Sequence, residues 1–170
     1  MTVHPIPPVF DENSKVLILG SFPSVKSRES AFFYGHPQNR FWKLLSIIFD
    51  EPQPRSNEEK RALLLKHGIA VWDVIASCDI VGSSDSSIKN ARPNDIAKIL
   101  ENADIRAIFV NGRTAEKYYK RYIEHSVGRT AICLPSTSPA NAAIGLTELV
   151  RHWSVIREYT DIPSSPNTYI

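Results

Sequence analysis

Two polar segments, far apart in the chain, carry the side chains that are best suited to chemistry. The first covers residues 20–42, from GSFPS to FFYGHPQNRFW, and the second covers residues 134–141, LPSTSPAN. Both are dense in Gly, Pro, Ser, Asn and aromatic residues, a mixture that a packed core does not require. A site that holds a flat ring and a phosphate backbone does need such amides, hydroxyls and rings.

Several common catalytic arrangements are absent from the sequence. The five histidines have no metal-ligand spacing, and Cys78 and Cys133 cannot form a four-thiolate site alone. No glycine-rich phosphate or dinucleotide loop follows a predicted strand, and no Gly-x-Ser-x-Gly elbow occurs. We therefore expect no metal and no cofactor, and we expect the two cysteines to be reduced thiols.

A site made of amides, hydroxyls and aromatic rings suits a reaction that depends on positioning and electrostatics. Hydrolysis of the N-glycosidic bond of a nucleotide is such a reaction, because the sugar becomes oxocarbenium-like while the base leaves with negative charge. The protein must place a water near C1′ and donate hydrogen bonds to the departing base in a dry pocket.

The elements that must position these residues are read from the hydrophobic pattern. Short apolar runs predict strands at residues 15–19, 69–74, 105–110 and 130–134. Helical patterns cover residues 39–49, 56–66, 94–102, 114–125 and 147–159, the second starting at the capping box Ser56–Glu59. Residues 1–13 read as an irregular arm, residues 75–92 as a long irregular stretch, and the polar tail from residue 161 as frayed.

Strands that alternate with helices predict an α/β fold, a parallel sheet covered on both faces. Its carboxyl edge would gather the polar segments that follow the strands, at residues 20–24, 73–78, 111–113 and 135–141. Ligands of such sheets bind outside the carboxyl ends of the strands. The sequence therefore predicts one shared site.

Length and composition favour one globular domain over residues 1–170. The chain is 42% hydrophobic and 22% charged, without an apolar run long enough to span a membrane or an apparent secretory signal. Its formal net charge of +2 tolerates a polyanionic partner without demanding one. We expect a monomeric cytoplasmic protein whose DNA contacts come from local placement of Lys and Arg.

At this point the residues show a resemblance to a known family. The words GSFPS, HPQNRFW and PSTSPAN resemble the signature motifs of the uracil-DNA glycosylase superfamily, and they are most similar to its hypoxanthine-DNA glycosylase (DNA-deoxyinosine glycosylase) branch. HPQNRFW is also similar to the mismatch-specific uracil/thymine branch. The order of elements fits from about residue 15 to residue 159.

The resemblance implies a three-layer αβα sandwich on a four-stranded parallel sheet, and a monofunctional glycosylase acting on DNA that contains deaminated bases. It implies that Asn39 is the catalytic amide that orients the water. The base-binding positions it implies are Ser21, Phe22, Phe33, Tyr34, Asp73 and Asn111. The DNA-binding positions it implies are Pro23, Ser24, Arg40, Ser136, Thr137, Ser138, Pro139 and Asn141, and no residue is implied as a metal ligand.

Two positions depart from the family pattern. Phe22 stands where the uracil and mismatch branches carry Asp or Asn, so activation of the water cannot come from that position. Leu134 stands where the uracil branch has His, so imidazole stabilisation of a uracil anion is absent. Both departures favour hypoxanthine over uracil as the first substrate.

Each assignment has a structural alternative. Asn39 could cap the helix that follows it, and Phe33 could belong to the core with its aromatic neighbours. Asp73 could accept backbone hydrogen bonds, and Asn111 could form a plain turn. The rim cations could be solvated surface charges; these are Lys26, Arg28, Arg40, Lys89, Arg92 and Arg113. The rival function is a non-catalytic or small-molecule-binding α/β domain that keeps the pocket.

Overall fold

The structure is a computed structural model, and it describes residues 1–160. Its strands are β1 (Thr2–Val3), β2 (Val16–Gly20), β3 (Ile69–Asp73), β4 (Ile75–Asp79), β5 (Lys89–Pro93), β6 (Ala107–Asn111) and β7 (Ile132–Leu134). Its helices are α1 (Val25–Ser30), α2 (Phe41–Ile48), α3 (Asn57–Lys66), α4 (Ala97–Asn102), α5 (Arg113–Tyr122), α6 (Glu124–Val127), α7 (Leu146–Trp153) and α8 (Arg157–Thr160). Two short 3₁₀ segments cover Asp85–Ser87 and Ser154–Ile156.

Four strands form a parallel sheet in the order β3-β2-β6-β7, as the sequence predicts. The central strand β2 is buried along its whole length. Alternate side chains of a strand point to opposite faces, and here Val16 and Ile18 join one core while Leu17 and Leu19 join the other. Each such fully buried aliphatic side chain contributes about 1.5–3 kcal/mol of transfer free energy.

The two cores are closed by different helices, so the helices lie on both faces of the sheet. Side chains of α2, α3 and α7 pack in the first core, and side chains of α4 and α5 pack in the second. The prediction of a three-layer α/β fold is therefore confirmed. The cap predicted for α3 is also present, because Ser56 Oγ accepts a hydrogen bond from the Glu59 amide at 3.0 Å.

The prediction of irregular structure at residues 1–13 and 75–92 is wrong in part. Strands β1, β4 and β5 form a second, antiparallel sheet in the order β1-β4-β5. Strand β5 is largely exposed and polar, and β4 is only partly buried, so neither shows the alternation that predicts a strand. The pairing of the N-terminal arm with β4 joins residues far apart in sequence, which no local pattern reveals.

Smaller differences concern the ends of elements. The short polar helix α1 was not expected, and the helix predicted from residue 39 begins at Phe41. The predicted helix at 114–125 is divided into α5 and α6, and the one at 147–159 is interrupted by the 3₁₀ turn. The tail that we predicted to fray, residues 161–170, lies outside the described residues.

The sheet order creates a natural crevice. The chain leaves β2 toward the face covered by α2 and α3, and it leaves β6 toward the face covered by α5. Neighbouring strands whose connections diverge in this way leave a gap outside their carboxyl ends, where α/β proteins bind ligands.

Candidate active site

A cavity of about 330 Å³ lies at the carboxyl ends of the parallel strands, a size typical of small-molecule sites. Strands β2, β3 and β6 contribute Gly20, Asp73 and Asn111 to its wall. The chain after β7 contributes Ser136. The structure thus brings together all four strand ends at one place.

Most of the predicted site residues line this cavity. Those that do are Ser21, Phe22, Pro23, Ser24, Phe33, Tyr34, Asn39, Asp73, Asn111, Ser136, Thr137, Ser138 and Pro139. Arg40 and Asn141 are not part of the wall. The wall also includes residues that the sequence did not single out, namely Ser27, His36, Ser83, Asp85 and Ala140.

The amide of Asn39 is both a helix cap and a group facing the cavity. Its Oδ1 accepts a hydrogen bond from the Phe41 amide at 3.0 Å, at the start of α2. Because a backbone N–H must meet the oxygen, the other end of the amide is fixed as the NH₂ group. That NH₂ donates to no residue of the described part of the chain, so it remains available in the cavity.

Tyr34 is held in an unusual conformation with an unused hydroxyl. Its φ of 53° lies in the left-handed region, which non-glycine residues seldom adopt. The ring stacks on Phe41 with 4.0 Å between centroids. The buried hydroxyl has no hydrogen-bond partner within residues 1–160. Burial and the negative charge of Asp73 raise the pKa of Tyr34 far above its ordinary value, while the nearby Asn111 side chain opposes the change, so the group stays a neutral donor.

The structure corrects the role predicted for Phe33. Only 1% of Phe33 is exposed, and its ring packs edge-on against Phe32 within the core. A ring so enclosed cannot offer its face to a base, so the core alternative is right for this residue. Phe22 and Tyr34 remain the aromatic residues of the wall that we predict to contact a base.

Asp73 makes a buried hydrogen bond with His4, a contact that no pattern in the sequence predicts. The His4 Nε2 lies 2.7 Å from Asp73 Oδ2, and the two side chains are 3% and 5% exposed. The His4 ring is flanked by Phe22 and Phe33, with centroids 5.8 and 6.0 Å away. The N-terminal arm therefore supports Asp73, a residue of the cavity wall, from behind.

A second carboxylate, Asp85, lies at the rim of the cavity on the turn between β4 and β5. Its Oδ1 accepts a hydrogen bond from Ser21 Oγ at 3.1 Å. Desolvation by the surrounding protein raises the pKa of Asp85, and the negative charge of Asp73 raises it further. Hydrogen bonds from Ser21 and Thr114 lower it. Residue 85 lay in the stretch predicted to be irregular, and its Ser-rich setting was the only local signal.

We call residues 135–141 the second loop, and its polar groups are used mostly within the loop. Ser136 Oγ and Ser138 Oγ accept hydrogen bonds from the amides of Ser138 and Ala140. The Asn141 side chain donates to the Ser136 carbonyl at 3.0 Å. The loop is therefore held in shape by its own hydrogen bonds, and the oxygens of these two serines serve the turn.

Two assignments in this region need correction. Thr137 is fully buried, with its Oγ1 and its amide both bonded to the Asn111 side chain at 3.0 Å, so it cannot grip a phosphate. Arg40 donates to the carbonyl oxygens of Ser138, Asn141 and Ile144, so it fastens the second loop instead of reaching outward. Beyond these two bonds Asn111 has one amide hydrogen and one lone pair left, and its side chain also lies close to the Tyr34 hydroxyl.

The turn after β2 serves local structure as well as the wall. Ser24 caps α1, since its Oγ accepts a hydrogen bond from the Ser27 amide at 3.1 Å. Pro23 is buried, which leaves little of it for DNA. Arg28 donates to the Gly82 carbonyl at 2.8 Å. Four of the predicted rim cations are exposed, namely Lys26, Lys89, Arg92 and Arg113.

Residues 1–160 contain no group of three or more His, Cys, Asp or Glu side chains placed to hold a metal ion. In the same range, no helix has the length and apolar character needed to cross a membrane.

Comparison with known proteins places this fold and site in context. The family model for the uracil DNA glycosylase superfamily matches residues 7–155. The chain is 38% identical to the hypoxanthine DNA glycosylase of Methanosarcina acetivorans and 35% identical to that of Methanosarcina barkeri, in each case over 79% of this chain and 85% of the relative.

A solved structure is similar over nearly the whole fold. It is the solution NMR structure of a Methanosarcina acetivorans protein provisionally assigned as a uracil DNA glycosylase. The superposition has a TM-score of 0.79 at 33% identity and covers 92% of this chain and 97% of that one.

Proposed function

The chain belongs to the uracil DNA glycosylase superfamily, and from that premise we propose that it is a monofunctional DNA glycosylase for deaminated bases. Hypoxanthine is its first substrate and uracil its second. The base leaves the DNA duplex and enters the cavity, as enzymes that act on a stacked base require. The protein works as a monomer in base excision repair, in the cytoplasm with the DNA.

The observation that carries the proposal is the amide NH₂ of Asn39, which donates to no other residue of 1–160 and whose orientation in a cavity at the strand ends is fixed by its own cap bond. A fixed donor can hold the oxygen of a water near C1′. Positioning of this kind is a large part of the rate enhancement in a reaction without a strong nucleophile.

The chemistry is a simple displacement. Water adds to C1′ as the C1′–N bond breaks, and the base takes the electron pair of that bond. The proton that the water loses passes through solvent to the base anion, so the products are the free base and an abasic sugar. A neutral phenol donor, Tyr34, stands in the wall to stabilise negative charge on the departing base.

Hydrolysis without strand cleavage is supported by the composition of the wall. The cavity-lining residues of the described chain include no lysine and no cysteine. A glycosylase that also cuts the strand needs an amine for a Schiff base, and the wall offers none. Phe22 and Leu134 replace the residues that serve uracil in other branches, which supports hypoxanthine as the preferred base.

The test uses labelled duplexes that carry a single deoxyinosine, a single deoxyuridine or neither, incubated with excess protein. We expect alkali-labile sites at deoxyinosine, fewer at deoxyuridine, and no break before alkali. Failure to release any deaminated base would overturn the proposal. Tight binding of the lesion duplex without release would instead support the non-catalytic α/β domain.

A further inference from the structure

The N-terminal arm places one side chain, His4, against Asp73 in the wall of the cavity. Strand β1 pairs with β4, and the His4 amide donates to the Ala76 carbonyl at 2.8 Å, so the backbone of residue 4 is fixed. The side chain then reaches Asp73, 69 positions away in sequence. The contact is short and nearly completely shielded from solvent.

Hydrogen bonding determines which nitrogen of His4 carries the proton. The Ile6 amide donates to His4 Nδ1 at 3.1 Å, so Nδ1 must be an acceptor without hydrogen. The ring proton is therefore on Nε2, which donates to Asp73 Oδ2. Because both ring nitrogens are engaged, His4 cannot act as a base itself, but it fixes the rotation of the carboxylate.

The other carboxylate oxygen and the Tyr34 hydroxyl approach Gly20 from the same side. A Cβ placed on Gly20 would overlap Asp73 Oδ1 and stand 3.1 Å from the Tyr34 hydroxyl oxygen. Both oxygens therefore approach the same point of the chain, where only glycine leaves them room. The result is an acceptor, Asp73 Oδ1, next to a donor, the Tyr34 O–H.

We infer that His4 is a positioning residue that holds Asp73 as the acceptor for a ring N–H of the flipped base, while Tyr34 donates to the adjacent carbonyl oxygen. The inference rests on the proposed function and names how that site selects its substrate. Residues 1–13 would then contribute to the substrate specificity of the site.

This pairing matches the chemical change that deamination makes. Adenine presents an acceptor at N1 beside an amino donor at N6, whereas hypoxanthine presents an N1–H donor beside the acceptor O6. Uracil offers the same order, an N3–H beside a carbonyl. A fixed acceptor next to a fixed donor therefore accepts the deaminated bases and rejects adenine, which would leave buried polar groups unpaired.

The test compares single-turnover rates on deoxyinosine and on deoxynebularine, a purine nucleoside that lacks both the N1 hydrogen and O6. His4→Leu should slow deoxyinosine release by about 10- to 100-fold, the usual cost of a hydrogen bond to a charged group. It should slow deoxynebularine release much less, so the preference for deoxyinosine should fall by about tenfold or more. His4→Gln, which restores an N–H donor, should recover most of the rate and of the preference.

The control is His67→Leu, because His67 pairs with Glu51 at 3.0 Å before β3 begins, away from the strand ends that form the cavity. It should leave both rates unchanged. If His4→Leu slows both substrates by one factor, or if His4→Gln is as defective as His4→Leu, His4 is only structural and the inference is overturned. A wild-type chain inactive on deoxyinosine would overturn the proposed function as well, so the two failures are distinct.

A spectroscopic measurement tests the geometry independently of activity. Nitrogen NMR of ¹⁵N-histidine-labelled protein should show a neutral His4 ring with its proton on Nε2. A proton on Nδ1 would mean that Asp73 is not held as proposed, and the inference would fail even if the enzyme were active.

Discussion

The segment after β2 and the second loop have nearly the same composition, yet they use it differently. We call residues 21–40 the first loop. It leaves two donors without partners in the described chain, the NH₂ of Asn39 and the hydroxyl of Tyr34. The second loop uses its hydroxyl oxygens and amides in bonds within itself and with Asn111, and its backbone carbonyls accept hydrogen bonds from Arg40.

The difference separates two kinds of site residue. Unpaired donors in a cavity carry a cost in stability, and such costs are concentrated where a protein binds or reacts. Side-chain oxygens that already accept hydrogen bonds from their own loop or from a neighbouring strand end hold a preformed surface instead. We therefore predict that residues of the first loop take part in catalysis and that the second loop provides a preformed part of the binding surface.

The largest effect should come from Asn39→Ala. Loss of the donor that holds the water should lower the single-turnover rate on deoxyinosine by about 10²–10³-fold, the cost of removing a transition-state donor in other enzymes. Affinity for the lesion duplex should change little, since the group acts mainly in the transition state. Asn102→Ala, at the end of α4 away from the cavity wall, is the matched control. Equal rates for wild type and Asn39→Ala would contradict the comparison directly.

Tyr34→Phe should separate function from stability. The rate should fall by about tenfold, because one donor to the base is lost. The Tm should stay the same or rise, because the change removes a buried hydroxyl that has no hydrogen-bond partner among residues 1–160. Thermal unfolding and single-turnover cleavage measured on the same preparation check both halves. A lower Tm would mean that the hydroxyl has a structural role.

Thr137→Val should show the opposite behaviour. It keeps the shape of the side chain but removes the hydroxyl that accepts from Asn111 Nδ2 in a fully buried position. We expect the free energy of unfolding to fall by about 1–2 kcal/mol, with a smaller loss of rate than in Asn39→Ala. Ser138→Ala is the control and should cost less, because its bonded neighbour Ala140 is exposed. No change in Tm for Thr137→Val would show that the second loop is not held as we describe.

Strand β2, the cap of α3 and the meeting of four strand ends could be predicted because each depends on local pattern or on general rules for parallel sheets. The antiparallel sheet could not, because β5 carries no periodic apolar signal. The His4–Asp73 contact joins residues 69 positions apart, and no local pattern near either residue predicts it.

The orientation of each side chain within a motif could not be predicted from the sequence either. The words PSTSPAN and HPQNRFW identify where a site lies, but they do not tell which of their hydroxyls and cations turn inward. Thr137 and Arg40 belong to these words and yet serve the loop itself, because the carbonyls and amides of a tight turn need partners before a ligand does.

The smallest effect concerns the salt dependence of DNA binding. With a net charge of +2 and its cations at the rim, the protein should make about 3–5 phosphate contacts, so log K should fall with log salt at a slope of about −3 to −5. Arg113→Gln removes an exposed cation at the start of α5 and should flatten that slope by about 0.9 on undamaged and lesion duplexes alike.

Arg40→Gln should flatten the salt slope less than Arg113→Gln does. It should also weaken lesion binding more than binding to undamaged DNA, because the guanidinium already donates to carbonyls of the second loop and its loss loosens that loop. Affinities for undamaged and lesion duplexes, measured at several salt concentrations, distinguish the two roles of Arg40. If Arg40→Gln flattens the slope by a full unit and weakens both duplexes equally, Arg40 is a phosphate contact, and the second loop takes part in binding as a clamp instead of as a rigid shape.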